Sequence, residues 1–215
     1  MKHLNKTLPV LVALGLIVPA SSASAAAETG KNQVFKLVPS GISRVSFESD
    51  APIENIVGIT SAVTGEISVN LSKPKDKPKG TVTVDLTTVK TGIKKRDAHM
   101  RSKDFLNTDK YPTASFTLER LQVEGVIAGR RGVDATLYGK FSLHGVTRNV
   151  KLKVKLGHRV AGPQLAKFGV KGDVLRIKGS FELKMSDYGI KVPSKLGAKV
   201  SNTVKISLAL TAYTG

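Results

Sequence analysis

The sequence contains no cysteine and no tryptophan, and only four histidines. Without cysteine the chain has neither a disulfide framework nor a thiolate metal site, so an apolar core must stabilise the fold. A length of 215 residues fits one ordinary domain with accessory segments. A domain of about 190 residues buries roughly 70% of its unfolded surface, which is enough for a core of this kind.

Acidic residues are also scarce, with 16 Asp and Glu against 34 Lys and Arg, which gives a net charge of +18. Such a charge attracts anionic membrane surfaces, lipopolysaccharide or nucleic acid, but it carries no information about the fold. Solubility and electrostatic steering are its commonest roles. We therefore prefer that explanation and keep surface binding as an alternative.

Long hydrophobic runs are missing except near the N-terminus. Basic residues in 2–6 precede an apolar run at 8–18, and small residues follow at 21–27. This order is typical of a secretory signal peptide, and the run is shorter than the about 20 residues of a membrane-spanning helix. We predict a signal peptide at 1–25 and a single exported domain at 26–215, which is periplasmic or secreted.

Alternation of apolar and polar residues is the dominant pattern of the remaining chain, and helical periodicity is nearly absent. Short turn-rich connections separate the alternating segments. About eight strands with such connections indicate an all-β, antiparallel barrel or sandwich. The predicted strands fall in 33–38, 43–49, 65–71, 81–86, 113–118, 133–143, 150–156, 175–185 and 204–210.

The apolar faces of these strands consist of Val, Ile, Leu and Phe, and aromatic residues make up only 5% of the chain. An antiparallel barrel of about eight strands either fills its interior with side chains or encloses one small ligand. Periodicity alone does not distinguish these two cases.

The densest polar cluster lies in 91–105, the longest stretch of the exported domain that does not alternate. Asp97 and His99 could form an acid–base pair, or bind a metal ion with His144 as third ligand. The alternative is structural: a short helical segment near 96–102 that covers one end of the barrel, with ion pairs between its arginines and aspartates. The structural interpretation is preferred, because the spacing matches no catalytic or metal-binding motif.

Common enzyme signatures are absent: the chain contains no Gly-x-Ser-x-Gly, His-Glu-x-x-His or Gly-x-x-x-x-Gly-Lys sequence. His158 stands between Gly157 and Arg159, where we expect a turn. The sequence therefore favours a protein that is not an enzyme and that contains no metal site.

Three lysines, Lys151, Lys153 and Lys155, alternate with apolar residues and must point away from one face of a strand. A solvated outer face is the simplest explanation, and docking to anionic phospholipid head groups is the functional alternative. Nucleic acid is not expected as a partner, because single-strand binders interleave basic residues with exposed aromatic rings, whereas the phenylalanines of the predicted strands fall on apolar faces.

Several segments together resemble the YceI-like family of exported bacterial proteins. The most specific is 84–91 continuing into 96–105, Arg-Asp-Ala-His-Met-Arg-Ser-Lys-Asp-Phe, followed by Tyr-Pro-Thr-Ala-Ser-Phe at 111–116. Two further pieces agree, at 139–148 and at 186–190. The resemblance spans nearly the whole exported domain.

The resemblance implies a lipocalin-like barrel that binds a long isoprenoid, such as a quinone or polyprenyl lipid, with no other cofactor. Arg96, Asp97, His99 and His144 would then lie at the cavity mouth or lock the loops. The predicted ligand-binding residues are Phe47, Ile67, Val69, Val84, Leu86, Phe105, Phe116, Leu118, Leu137, Phe141, Leu143, Leu152, Val154, Ile177, Phe181, Ile206 and Leu208.

Two alternatives remain open at this point. The first is a basic module that binds anionic lipids or polymers at its surface, with a packed interior. The second is a barrel enzyme or metalloprotein that uses Asp97, His99 and His144. The sequence also leaves open whether the chain forms a homodimer.

Overall fold

The computed structural model describes residues 30–39 and 41–215, so the predicted signal peptide lies outside the described residues. One antiparallel sheet of ten strands makes up the fold. The strands are β1 Gln33–Leu37, β2 Arg44–Asp50, β3 Asn55–Thr60, β4 Val63–Val69, β5 Lys79–Asp85, β6 Thr113–Val123, β7 Val133–Leu143, β8 Val146–Arg159, β9 Val174–Lys184 and β10 Thr203–Tyr213.

The sheet closes on itself because β10, along the edge opposite β9, pairs first with β2 and then with β1. Its C-terminal end pairs with β1, where Lys36 lies opposite Tyr213, and its N-terminal half pairs with β2, where Arg44 lies opposite Ala209. In the same way β3 pairs with β2, and β4 pairs with β1. The two pairs of short strands thus occupy two positions in an eight-stranded barrel, which confirms the predicted all-β antiparallel barrel.

Helical segments lie only at the ends of the barrel in the described part of the chain. The longest is α1, Lys94–Arg101, and α2 is a single turn, Pro163–Ala166. Three 3₁₀ turns span Leu86–Thr88, Met185–Tyr188 and Ser194–Leu196. Among the described residues no helix is both long and apolar enough to cross a membrane.

The two ends of the barrel differ in their connections. We call the end formed by 51–54, 86–112, 144–145 and 185–202 the helix end, because it carries α1 and the three 3₁₀ turns. The opposite end is the loop end, formed by 70–78, 124–132 and 160–173.

Residues that alternate along a strand point in turn to the interior of the barrel and to its outer surface. In β8, Leu152 and Val154 are buried, whereas Lys151, Lys153 and Lys155 are exposed on the outer wall. Lys155 pairs there with Asp134 at 2.7 Å. Buried apolar residues form two clusters, a larger one in the half near the loop end and a smaller one near the helix end.

Strand β3 is the one element of the barrel that alternation did not predict. Its inward residues are Ile56, Gly58 and Thr60, and its outward residues include the half-exposed Val57 and Ile59. Because apolar residues occupy both faces, the sequence of this strand shows no polar alternation. A pattern that depends on contrast between the two faces cannot detect such a strand.

The short helical segment predicted near 96–102 is confirmed, with bounds of 94–101 in the structure. One local prediction needs correction. His158 is not in a turn: it lies within β8 and is 1% exposed. Strand β8 continues beyond the last predicted residue because Gly157 and His158 still pair with Arg176 and Leu175 of β9.

Candidate functional site: an apolar cavity along the barrel

The interior of the barrel is hollow. One cavity lies towards the helix end, is partly open and has a volume of about 200 Å³. A second lies towards the loop end and has a volume of about 100 Å³. Five residues line both cavities, so that only side chains separate them: Val45, Val84, Ala114, Phe141 and Ile206.

Phe141 is one of the five residues that line both cavities. Its ring contacts that of Phe181 edge to face with 5.5 Å between centroids, and that of Tyr188 with 5.7 Å. Burial raises the pKa of the Tyr188 phenol, so the side chain that packs against Phe141 is uncharged.

The wall of the helix-end cavity depends on a glycine. Phe47 of β2 lies directly opposite Gly58 of β3. A Cβ atom at Gly58 would lie 2.1 Å from Cε1 of the Phe47 ring, so only glycine allows the ring to lie against this strand. A larger residue at position 58 would displace this ring or take space from the cavity.

Sixteen of the seventeen predicted ligand-binding residues line one cavity or the other. The exception is Val154, which is buried in the larger apolar cluster without lining a cavity. Contact of these residues with a lipid stays a prediction.

Many lining residues were not predicted. Some lie on predicted strands but were not among the predicted ligand-binding residues, some lie on β3 or beyond the predicted end of β6, and others lie in irregular segments at the two ends, where period two gives no signal. They include Val45, Ile56, Gly58, Val82, Met100, Leu106, Leu121, Ile127, Leu183, Met185, Ile190, Val200, Val204 and Leu210.

Segment 85–105 covers the helix-end cavity, and its polar residues stabilise its own fold. Asp85 caps the first 3₁₀ turn by accepting hydrogen bonds from the backbone N–H and the hydroxyl of Thr87, at 2.9 and 2.6 Å. Leu86 and Val89 of the same segment line the cavity. Arg101 donates to the carbonyl of Val89 at 3.0 Å, which ties α1 to this turn.

Asp97 is buried in α1, and its carboxylate accepts the hydrogen bonds that hold α1 against Thr91 of the same segment. It accepts from the hydroxyl of Thr91 at 2.5 Å and from the backbone N–H of Thr91 at 2.8 Å. The Thr91 hydroxyl is the largest cause of a lowered pKa at Asp97, with Arg101 and Arg96 contributing smaller effects in the same direction. The lowered pKa keeps this carboxylate ionised at neutral pH, and both hydrogen bonds from Thr91 reach the same oxygen, Oδ1.

Arg96 connects α1 to the turn between β2 and β3. Its guanidinium pairs with Glu54 at 2.6 Å and also donates to the hydroxyl and carbonyl of Thr91. The sequence predicted that a helix arginine pairs with Asp97 or Asp104. The partner of Arg96 is Glu54 instead, because the turn between β2 and β3 lies against α1. The side chain of Arg96 lines the cavity rim together with the exposed His99.

The two histidines of the predicted cluster have separate surroundings. His99 contacts Phe105 edge to face at 5.0 Å, whereas His144 lies in the β7–β8 turn, near the carbonyl of Tyr188 (3.1 Å) and the ring of Tyr111 (4.7 Å). Within 30–39 and 41–215, no group of three His, Cys, Asp or Glu side chains is placed to bind a metal ion.

The loop end of the barrel is closed by buried contacts. Ile127 is 0% exposed and forms the end wall of the second cavity, and its backbone N–H donates to the carbonyl of Leu71. The backbone N–H of Gly129 donates to Nδ1 of His158 at 2.8 Å, and Nε2 of His158 lies 3.1 Å from the carboxylate of Asp173. One buried histidine thus connects the loops at 124–132 and 160–173.

Fold and cavity together define a class: a closed antiparallel barrel with an apolar interior, closed by buried contacts at one end and covered by a helical segment at the other. Comparison with known proteins gives the family. A model of the YceI-like domain matches residues 36–212, so the chain belongs to the YceI-like domain family.

Curated relatives agree with this assignment. A UPF0312 protein of Shewanella denitrificans is 34% identical over 155 residues, which cover 72% of this chain and 73% of the relative. Protein YceI of Escherichia coli is 36% identical over 113 residues, about half of each chain at 51%.

Solved structures show the same fold at low sequence identity. Burkholderia cenocepacia BcnA superposes with a TM-score of 0.66 at 18% identity, covering 81% of this chain and 98% of that chain. A structure described as a polyisoprenoid binding domain from Saccharophagus degradans has a TM-score of 0.61 at 17% identity, covering 86% of this chain and all of that chain.

Proposed function

We propose that this protein is an exported carrier or store for a long isoprenoid, a quinone or a polyprenyl lipid, which it binds inside the barrel. The observation that carries the proposal is the pair of adjacent apolar cavities, which share five residues and extend along the barrel. The Saccharophagus degradans relative, whose description names polyisoprenoid binding, supports the ligand class. The signal peptide expected at 1–25 supports a periplasmic or secreted location.

Burial of the lipid tail accounts for affinity without polar contacts. Each buried methylene group is worth about 0.8 kcal/mol, and an isoprenoid chain contains many such carbons. The same contacts limit selectivity, since chains that differ by one methylene are separated by only about 1–3 kcal/mol in an apolar pocket. Cavity length and the rim at the helix end would then choose among lipids.

The polar residues near the cavity favour binding over catalysis. Asp97 is occupied by Thr91, and Arg96 by Glu54 and Thr91. Both side chains thus have structural partners within the protein, and His99 contacts an apolar ring. The predicted roles of these side chains are therefore structural, as locks of the segment over the cavity.

A direct test uses one substitution inside the barrel and the same substitution outside. The mature chain is purified without detergent, and its mass is measured under native conditions before and after extraction with organic solvent. Val84 lines both cavities, whereas Val57 is half-exposed on the outer face. We expect a stoichiometric isoprenoid in the wild type, little in Val84→Phe, and a wild-type amount in Val57→Phe.

Two results would contradict the proposal. The first is a wild-type protein of unliganded mass that takes up neither added ubiquinone nor a polyprenyl phosphate. The second is equal lipid content in Val84→Phe and Val57→Phe when circular dichroism shows that both variants are folded, because the lipid would then be bound outside the barrel.

A further inference from the structure

Three chain segments meet at the rim of the helix-end cavity. The turn at 51–54 is bonded to both others: Glu54 pairs with Arg96 of α1, and the backbone N–H of Ile53 donates to the carbonyl of Ala198 at 2.9 Å. We call 51–54, 89–104 and 191–200 the rim segments. Thr91, Arg96, His99 and Val200 of these segments line the cavity itself.

The rim segments are strongly basic. They contain nine Lys and Arg residues against three carboxylates, Glu54, Asp97 and Asp104. Glu54 is already paired with Arg96, and Asp97 is buried. The lysines of α1 and of 191–200, namely Lys94, Lys95, Lys191, Lys195 and Lys199, are exposed. Asp104 is the remaining carboxylate of the rim segments and is exposed, so the rim presents five exposed lysines with a net positive charge.

Two large aliphatic side chains project from the same surface. Ile53 is 71% exposed and Ile93 is 52% exposed, and they flank the Glu54–Arg96 ion pair in sequence. Neither packs into the barrel, so their exposure costs solvation free energy without adding to the core. Exposed aliphatic residues surrounded by lysines are the combination that binds anionic bilayers, the charges at the head groups and the apolar groups just below them.

We propose that the helix end is a docking surface for anionic phospholipid bilayers, with Ile53 and Ile93 inserted at the boundary between head groups and acyl chains. This inference rests on the proposed lipid-binding function. Docked in this way, the cavity rim faces the membrane, and an apolar lipid passes between bilayer and barrel without crossing water.

The loop end is the competing surface, because it carries the most exposed phenylalanine. Phe168 is 85% exposed, and Lys167 and Lys171 flank it in sequence. However, no residue of 160–173 lines either cavity, and the buried Ile127 closes this end. Docking there would place the closed end against the membrane, so the continuity of rim and cavity favours the helix end.

The absence of tryptophan from the chain makes the test direct. Single variants Ile53→Trp, Ile93→Trp and Phe168→Trp each carry one tryptophan at an exposed position, whose emission is excited selectively in the presence of the four tyrosines. Each is mixed with phosphatidylcholine vesicles that contain or lack phosphatidylglycerol, and emission wavelength and quenching by brominated lipid are recorded. We expect a blue shift and quenching for Ile53→Trp and Ile93→Trp with phosphatidylglycerol, and neither for Phe168→Trp.

Charge variants give a second, independent measurement. The double variant Lys94→Gln/Lys95→Gln should bind phosphatidylglycerol vesicles about 30-fold more weakly in sedimentation, since each basic residue near the surface contributes a few-fold. Lys151→Gln/Lys153→Gln removes the same charge from the outer wall of the barrel and should change binding much less.

Quenching of Phe168→Trp alone would overturn the inference in favour of the loop end. Equal losses for the two lysine pairs would show attraction by net charge without a defined surface, and absence of binding by the wild type would also overturn the inference. Because the vesicles contain no isoprenoid, these results do not depend on the cavity ligand. A protein that docks by the helix end but neither contains nor takes up an isoprenoid would contradict the proposed function and leave the docking surface intact.

Discussion

The two ends of the barrel are closed by different physical means. At the loop end, Ile127 and His158 are 0% and 1% exposed, so closure depends on apolar burial and on hydrogen bonds shielded from water. At the helix end, the ion pair between Arg96 and Glu54 leaves both side chains partly exposed. Shielded contacts cost far more to open than contacts in water, because a broken buried bond leaves an unsatisfied group. The helix end is therefore the end expected to open, and local opening should occur there first.

The hydrogen bonds of His158 show in detail how the loop end is closed. Since Nδ1 accepts from the N–H of Gly129, the ring proton must reside on Nε2, where it donates to Asp173. Asp173 in turn accepts from the backbone N–H of Ala161 at 2.7 Å. One buried histidine thus satisfies hydrogen-bonding groups of two loops at once.

The largest expected effect comes from the end wall. Ile127→Ala should lower the free energy of unfolding by about 2–5 kcal/mol, because it leaves a cavity in a fully buried site. Ile53→Ala at the helix end should change it by no more than about 0.5 kcal/mol, since the side chain is mostly exposed. Urea unfolding followed by circular dichroism measures both. Similar losses of unfolding free energy in the two variants would contradict the difference between the two ends of the barrel.

A second effect, somewhat smaller, concerns the buried histidine. His158→Leu should destabilise the protein by about 2–4 kcal/mol, because it leaves the N–H of Gly129 and the carboxylate of Asp173 without their partner. His99→Leu makes the same change at an exposed position of the helix end and should be close to neutral. Thermal unfolding of the two variants decides the matter, and a neutral His158→Leu would show that the loops close without the histidine.

Asp97 provides a prediction with a defined pH dependence. Its pKa is lowered in the folded state, chiefly by the Thr91 hydroxyl, so ionised Asp97 stabilises the fold above the ordinary aspartate pKa of about 3.9. That stabilisation is lost as the pH falls through the lowered value. Asp97→Asn should therefore cost about 1–2 kcal/mol at neutral pH and less in acid. Unfolding measured between neutral and acid pH checks this, and a constant difference would contradict the role of the charge.

The smallest expected effect on stability is also the one most specific to the opening end. Arg96→Gln should change the free energy of unfolding by less than about 1 kcal/mol, because the pair with Glu54 is partly exposed and solvent-screened. It should nevertheless speed exchange of a bound lipid, since it releases α1 from the turn at 51–54. Lys140→Gln, which breaks the pair with Glu119 on the outer wall, is the matched control for a stopped-flow exchange measurement. Equal exchange rates in both variants would mean that the rim does not limit entry.

Prediction from sequence succeeded where polarity alternates and failed where it does not. The apolar faces of β7, β8, β9 and β10 followed from alternation, and with them about a third of the residues that line the two cavities. Strand β3 was missed because Val57 and Ile59 make its outer face apolar. His158 was assigned to a turn from its glycine and arginine neighbours, although its pairing with Leu175 keeps it inside the sheet.

The resemblance of 84–105 to a family signature pointed to the right segment, but a signature does not say which partners its residues find. Glu54 is 42 positions away from Arg96 in the chain. Its contact depends on the turn between β2 and β3 lying against α1, which no local pattern encodes. The same holds for Gly129 and His158, which lie 29 positions apart.

The sequence by itself determined the all-β architecture, the direction in which most side chains point and the basic outer surface, because period two and charge are local properties. Only the tertiary structure decided that the interior is hollow. Whether inward side chains meet or leave space depends on barrel closure and on close contacts such as Phe47 against Gly58, which join residues distant in the chain. Tertiary contacts also decided which end is closed, since buried bonds to Ile127 and His158 form only when three loops come together.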